Sequence, residues 1–155
     1  MEDKKLIIKN QYFLDKNSLA KYFVVAESLG GIFFVNCNFE EIDMTGIVFG
    51  SCCFENCIFN QFNLRKTTFS GCDFKDCKII NCDITRAEFY DTKFKNCEFL
   101  NVDLSGSDFD KCKLETTKFV NSNLNLIRVD EVEVRKLKEW IKIEYFSTLD
   151  TNLDE

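Results

Sequence analysis

The nine cysteines are the residues of this chain whose type and spacing could carry chemistry. A thiolate can act as a nucleophile or a metal ligand, and two thiols can form a disulfide. Eight of the nine recur in a single five-residue register, and Cys53 is the exception. The eight are Cys37, Cys52, Cys57, Cys72, Cys77, Cys82, Cys97 and Cys112. Histidine is absent, which removes the commonest general base and metal ligand.

These cysteines are interpreted as small buried hydrophobic residues of a reducing compartment, because their count is odd and their spacing is structural. No pair has the CxxC spacing of a zinc site, so the sequence predicts neither a metal site nor a cofactor. Cysteines 20 residues apart, such as Cys37 and Cys57, would lie within disulfide distance, so oxidative cross-linking during purification is conceivable. Cys53 is predicted to point outward and is the one candidate reactive thiol, although nothing in the sequence indicates a lowered pKa.

Paired carboxylates could carry acid–base chemistry only if one of them were desolvated beside the other. Asp83 and Asp103 recur 20 residues apart, but at positions predicted to face water and to satisfy backbone groups at corners. Neither a glycine-rich phosphate loop nor a nucleophile elbow is present. The sequence therefore predicts no catalytic residues, and the protein is not expected to be an enzyme.

The elements that position these residues follow from a large apolar side chain at every fifth position from Phe34 to Leu124. Period five matches neither an α-helix nor a flat strand. A chain that turns a corner every five residues returns to its starting side after 20, and residues 20 apart are indeed alike. The predicted core comprises Phe34, Phe39, Phe49, Phe54, Phe59, Leu64, Phe69, Phe74, Phe89, Phe94, Phe99, Leu104, Phe109 and Phe119, with Cys37, Cys57, Cys77 and Cys97. The sequence thus predicts a four-sided solenoid.

The repeat resembles the pentapeptide-repeat family, whose motif is a small residue, then Asp or Asn, then Leu or Phe, then two variable positions. The triplets at residues 72–74, 82–84 and 102–104 fit this motif directly (Cys-Asp-Phe, Cys-Asp-Ile and Val-Asp-Leu). The resemblance covers residues 31–125. It implies an all-β fold, a right-handed quadrilateral β-helix of just under five coils.

Residues 1–30 are expected to form an N-terminal capping segment, because repeat stacks must cover their ends. Residues 6–13 favour a strand. Residues 18–29 favour a short helix with Ser18 as its N-cap. The alternative, left open by the sequence, is that Leu14, Leu19, Val24 and Leu29 extend the five-residue register as a degenerate first coil.

Residues 126–155 are expected to leave the register and to form an amphipathic helix near residues 130–146, followed by an acidic tail. This helix would cover the last coil or provide a surface for self-association, with Trp140 as its anchor. The resemblance also implies a homodimer through this C-terminal helix, since family members often associate through that end.

The net charge and the hydropathy of the chain limit the classes of function that the protein is expected to have. The net charge of −6 disfavours direct nucleic-acid binding and attraction to anionic membranes. No run of 18 apolar residues is present, and the charged N-terminus is not followed by a signal-peptide core, so a cytoplasmic location is expected. The working hypothesis is a non-enzymatic scaffold or protein-interaction module with an unknown protein partner.

The alternative, implied by the resemblance, is a DNA mimic that modulates DNA gyrase or topoisomerase IV, because some family members imitate duplex DNA and confer quinolone resistance. Residues 31–125 carry 14 acidic and 10 basic residues. Duplex DNA of the same length, about 24 Å, carries roughly fourteen charges. The Phe34 and Met44 faces sum to zero, and only the Phe49 face is clearly acidic. On that face Glu88, Asp91, Asp108 and Asp110 are opposed by one basic residue, Lys111. The predicted interaction surface comprises these four acidic residues and Trp140.

Overall fold

The corners of the chain recur every five residues and set the fold. The structure, a computed structural model, describes residues 5–24, 27–136 and 138–144. The residue two positions after each central apolar side chain has a positive φ, for example 55° at Asn36 and 53° at Glu41. Its backbone N–H donates to a carbonyl of the next coil, as Asn36 does to Glu55 at 2.9 Å. Short strands therefore alternate with left-handed corners.

The strands stack into three sheets, named here A, B and C. Sheet A contains β1 (Leu6–Lys9), β4 (Ile32–Val35), β7 (Cys53–Glu55), β10 (Asp73–Lys75), β13 (Lys93–Lys95), β16 (Lys113–Glu115), β19 (Val132–Lys136) and β20 (Glu139–Ile143). Sheet B contains β2 (Tyr12–Phe13), β5 (Asn38–Glu40), β8 (Ile58–Asn60), β11 (Lys78–Ile80), β14 (Glu98–Leu100) and β17 (Lys118–Val120). Sheet C contains β3 (Ser28–Gly30), β6 (Val48–Gly50), β9 (Thr68–Ser70), β12 (Glu88–Tyr90), β15 (Asp108–Asp110) and β18 (Arg128–Asp130).

The pairing is parallel and in register at 20 residues, so Phe74 lies between Phe54 and Phe94. The fourth side is a column of single β-bridges through Asp43, Asn63, Asp83, Asp103 and Asn123. Residues 32–130 thus form five regular coils. The predicted fold, a right-handed quadrilateral β-helix, is confirmed.

The core is a set of stacked rings inside this shaft. The central apolar side chains from Phe34 to Phe119 are buried, and Leu124 is half-buried. The ring of Phe74 stacks on those of Phe54 and Phe94, with centroids 4.8 and 4.9 Å apart. The void enclosed by the middle coils measures only about 10 Å³. Because that space holds no more than about one water-sized sphere, the interior of the middle coils has no room for a ligand.

The N-terminal segment joins the solenoid as an irregular coil, which neither sequence hypothesis described. β1 pairs with β4, and β3 pairs with β6 so that Leu29 lies opposite Phe49. The helix predicted over residues 18–29 is wrong in its bounds: α1 spans Lys16–Ala20, and Asp15 rather than Ser18 is its N-cap. The alternative coil is also incomplete, since Leu14 is 63% and Val24 is 71% exposed. Pairing of β3 in sheet C excludes a helix there.

The helix predicted near residues 130–146 is wrong over the described residues. β18 and β19 continue the parallel sheets, and β20 turns back as an antiparallel hairpin strand on β19. The physical reason is that the register does not end at Leu124: Val129 lies opposite Phe109, and Val134 lies opposite Leu114. Tyr145, Phe146 and the predicted tail lie outside the described residues.

Candidate interaction surface

The structure brings four of the predicted surface residues together on sheet C. Glu88 on β12 lies directly opposite Asp108 on β15, and Asp110 is two residues further along the same strand. Asp91 occupies the corner after β12, with φ of 48°, and its N–H donates to the carbonyl of Asp110 at 2.9 Å. These four residues therefore lie on two adjacent strands and the corner after the first of them. Neighbouring strands of a sheet are about 4.8 Å apart.

Two basic residues moderate the charge of this group. Arg128, one coil further along, forms a two-point ion pair with Asp108. Lys111 lies beside Tyr90, with its Nζ 3.4 Å from the Tyr90 hydroxyl oxygen and 5.3 Å from the ring centroid. That hydrogen bond raises the pKa of Lys111. Both cations are exposed and stay charged at neutral pH.

Asp110 differs from its neighbours in the environment of one oxygen atom. Its Oδ1 is buried and has no hydrogen-bond partner among the described residues. The residue lines an open groove of about 570 Å³ together with Asp108, Arg128 and Asp130. A buried carboxylate oxygen without a donor is destabilising.

Sequence reasoning missed the part of this surface contributed by β18 and its corner. Asp130 lies directly opposite Asp110, and Glu131 occupies the following corner with φ of 49°. The signal that could have found them is Val129, which keeps the five-residue register beyond Leu124. The acidic cluster is defined here as Glu88, Asp91, Asp108, Asp110, Asp130 and Glu131.

Trp140, the fifth predicted surface residue, is not part of the acidic cluster. It lies on β20 in sheet A, opposite Arg135, and is 39% exposed. The Nζ of Lys113 lies 5.1 Å from the centroid of its indole ring, a cation–π contact. Trp140 and the acidic cluster thus belong to different walls of the shaft.

The eight cysteines in register are buried and reduced. Each thiol lies beside a carbonyl of the preceding coil, for example Cys57 Sγ at 3.4 Å from the Phe34 oxygen. Burial raises the pKa of Cys112 to about 12 and that of Cys82 to about 11. The thiols of Cys82 and Cys112 are therefore neutral at physiological pH and are poor nucleophiles.

Cys53 points outward, as the sequence predicts, and is partly exposed. Its Sγ lies 3.8 Å from Oδ2 of Asp73. Desolvation, and then the negative charge of Asp73, raise the pKa of the Cys53 thiol. This environment is the opposite of the one that activates a cysteine.

The aspartates of the fourth side serve the backbone. Oδ1 of Asp83 accepts a hydrogen bond from the N–H of Thr85 at 2.9 Å, and Asp103 does the same for Ser105. Asp43 accepts from both the N–H and the hydroxyl of Thr45. These are side-chain turns that stabilise corners, which is the structural role given to Asp83 and Asp103 by the sequence.

Within residues 5–24, 27–136 and 138–144, no group of three or more Cys, Asp or Glu side chains converges as a metal site would require. In the same residues, no helix has the length and hydropathy needed to cross a membrane.

The fold and its outer surface define a class of protein: a parallel β-helix with a filled interior and its charged groups on flat outer walls. The family model described as "Pentapeptide repeat region" matches residues 47–128. The chain belongs to the pentapeptide-repeat family. Proteins of this family are generally non-enzymatic scaffolds.

Three solved structures illustrate the likeness. Full-length QnrB1, a plasmid-mediated fluoroquinolone resistance protein, is 15% identical with a TM-score of 0.49, over 83% of this chain and 93% of that one. Rfr23 from the cyanobacterium Cyanothece 51142 is 11% identical with a TM-score of 0.31, over 85% and 86%. HetL from the cyanobacterium Nostoc sp. strain PCC 7120, involved in heterocyst differentiation regulation, is 8% identical with a TM-score of 0.25, over 83% and 84%. No curated protein matches this chain.

Proposed function

We propose that this protein is a non-enzymatic scaffold that binds a protein partner through the acidic cluster on sheet C. The observation that carries the proposal is the segregation of charge along that sheet. The outward residues of β3, β6 and β9 are all uncharged, and they are Ser28, Gly30, Val48, Gly50, Thr68 and Ser70. The acidic cluster occupies the three strands that follow and their corners, where its six carboxylates lie among three cations, Lys111, Arg128 and, in the corner before β12, Arg86.

The partner that fits this surface presents lysine or arginine side chains. Strands of a β-helix hold their side chains at fixed intervals, so the carboxylates are pre-organised and lose little conformational entropy on binding. Opposite charges at such a surface accelerate association and select the partner.

Site-specific photo-crosslinking in cells tests the proposal. A photoreactive residue in place of Tyr90, within the cluster, is expected to give one discrete adduct. The matched control replaces Ile58, which is similarly exposed on β8 of sheet B, and should give none. The double variant Glu88→Lys/Asp110→Lys should abolish the adduct at position 90. Equal adducts at both positions, or an adduct that survives charge reversal, would contradict the proposal.

One observation favours the alternative of a DNA mimic: Glu88 and Asp108, and Asp110 and Asp130, are stacked along the shaft axis. The uncharged half of sheet C weighs against it, since mimicry needs a continuous acidic stripe. We expect no inhibition of gyrase or topoisomerase IV in supercoiling and decatenation assays. Inhibition at low-micromolar protein that disappears in the charge-reversed variant would favour the mimic instead.

Dimerisation through the C-terminal end stays a prediction, now assigned to a hairpin rather than a helix. β20 is the terminal strand of sheet A and offers an open edge, which favours pairing with another chain. Trp140 and Ile141 on this strand are 39% and 42% exposed. Light scattering should give the mass of a dimer, and Ile141→Lys should reduce it to that of a monomer. A monomeric mass for the unmodified protein would contradict the prediction.

A further inference from the structure

A second surface lies on sheet A, where four lysines are grouped on three strands, and it plays no part in the proposed partner interface. Its lysines are Lys75 on β10, Lys93 and Lys95 on β13, and Lys113 on β16. The register places Lys75 directly opposite Lys95, and Lys93 directly opposite Lys113. Like charges directly opposite each other on neighbouring strands destabilise a sheet. On its other side, each lysine lies directly opposite an acidic residue: Glu55 opposite Lys75, Asp73 opposite Lys93, Glu115 opposite Lys95 and Glu133 opposite Lys113.

Among the described residues, the acidic residues opposite these lysines do not form ion pairs with them. In the described part of the chain, ion pairs join Arg128 to Asp108 and Arg135 to Glu115, and none involves the four lysines. Asp73 and Glu115 line the same groove. Glu115 is already paired with Arg135. Three of the lysines are exposed, and Lys113 is half-buried under the indole ring.

Trp140 closes one end of the groove formed by these lysines, whose volume is about 400 Å³. Lys113 covers one face of the indole ring, and 39% of the residue remains exposed. The distance from β16, beneath the ring, to β10 is two strand spacings, about 10 Å. An aromatic platform therefore adjoins a grid of ammonium groups on one rigid wall.

We propose that this groove binds a free nucleotide, with the base stacked on Trp140 and the phosphates held by Lys75, Lys93 and Lys95. Bases stack readily on tryptophan because every base has a π-face. The occupant is a small nucleoside di- or triphosphate rather than a nucleic acid strand, because the chain carries a net charge of −6 that opposes long polyanions. The volume of the groove lies in the range of small-ligand sites.

The test uses the full chain and its only tryptophan, Trp140, as the reporter. ATP titrated without divalent metal is expected to quench the tryptophan fluorescence saturably, after correction for absorption by the nucleotide. Adenosine alone and tripolyphosphate alone should each bind at least about tenfold more weakly, because each provides only one of the two contacts. Tripolyphosphate binding as tightly as ATP would overturn the assignment of a nucleotide.

Variants distinguish binding in this groove from nonspecific attraction of ATP to the overall positive charges of the protein. Lys93→Ala/Lys95→Ala should weaken ATP binding about tenfold, because two exposed charge contacts are lost. The matched control Arg65→Ala/Lys78→Ala removes the same charge from other walls and should bind as the unmodified protein does. Calorimetry on Trp140→Phe and Trp140→Ala should show weaker binding for the alanine variant than for phenylalanine. Equal weakening by the control, absence of saturation at millimolar ATP, or tighter binding of a ten-nucleotide single strand would overturn the proposal.

Discussion

The middle coils and the terminal coils of this solenoid are built from similar residues but in different surroundings. Each strand from β8 to β15 has a neighbour of equal length and register on both sides. At the N-terminal end the path from β2 to β3 contains α1 instead of a bridge, and at the C-terminal end sheet A continues into a hairpin while sheets B and C stop. The comparison shows that a repeat dictates structure only where a second copy stacks on each side.

The largest expected difference concerns ring stacking. Phe74→Ala should lower the free energy of unfolding by about 3–5 kcal/mol, because the ring is buried and stacked on both neighbours. Phe13→Ala at the N-terminal end should cost less, since Phe13 stacks within one column only on Phe39. Urea unfolding followed by circular dichroism measures both. Equal losses would break the proposed distinction between middle and end.

The next largest expected effect is a loss of stability at α1, the helix that replaces one side of the first coil. Oδ1 of Asp15 accepts the N–H of Ser18 at 2.7 Å, and the helix buries Leu19. Asp15→Ala should destabilise this coil by about 1 kcal/mol, while Asp15→Asn should retain most of the cap. Hydrogen exchange of the amides in β1 to β3 measures the local opening. Faster exchange throughout the middle coils as well would mean that the ends and the shaft unfold as one unit.

The corner at Leu126 tests whether the left-handed turn persists near the C-terminal end. Leu126 has φ of 58° and is 85% exposed, so its side chain gains little from packing. Leu126→Gly should raise the free energy of unfolding by roughly 0.5–1 kcal/mol, because relief of left-handed strain exceeds the added chain entropy. Leu126→Ala keeps a Cβ and should change little. A destabilising glycine would show that this corner is not strained.

The accuracy of the sequence predictions follows the same division between middle and ends. Nineteen consecutive apolar positions specify the shaft, because period five with recurrence at 20 admits only a four-sided coil. The hairpin was missed because Val132, Val134, Trp140 and Ile141 fit an amphipathic helix and a pair of strands equally well. The strand conformation is selected by β16, which pairs with β19 in the folded protein. Long-range pairing of this kind is not visible in local periodicity.

The candidate surfaces show a similar limit. The acidic side chains of β12 and β15 were found because their positions follow from the register. The lysine groove was missed because the charges of that wall sum to zero, and a sum conceals that four lysines lie together on three strands. The placement of Trp140 over Lys113 depends on the hairpin, and no local pattern in the sequence predicts it.

The smallest expected effect is a pH dependence at the first bridge of the fourth side. The hydroxyl and the backbone N–H of Thr45 both donate to Asp43 and lower the pKa of its carboxyl group. Because the folded pKa lies below the unfolded one, this contribution is present above the unfolded pKa of about 3.9 and is lost as pH falls through the folded value.

Thr45→Val should therefore raise the pKa of Asp43 in an NMR titration of the carboxyl carbon. At pH 7 it should lower the free energy of unfolding by a few tenths of a kcal/mol, because the pair is exposed and screened. That loss should shrink as pH falls through the folded pKa of Asp43, because below it the carboxyl group is protonated in both states. The control Thr68→Val lies on β9, away from this column, and should leave the titration unchanged. An unchanged pKa in Thr45→Val would show that the backbone N–H alone holds the carboxylate, and that the fourth side is stabilised by its corners rather than by its side chains.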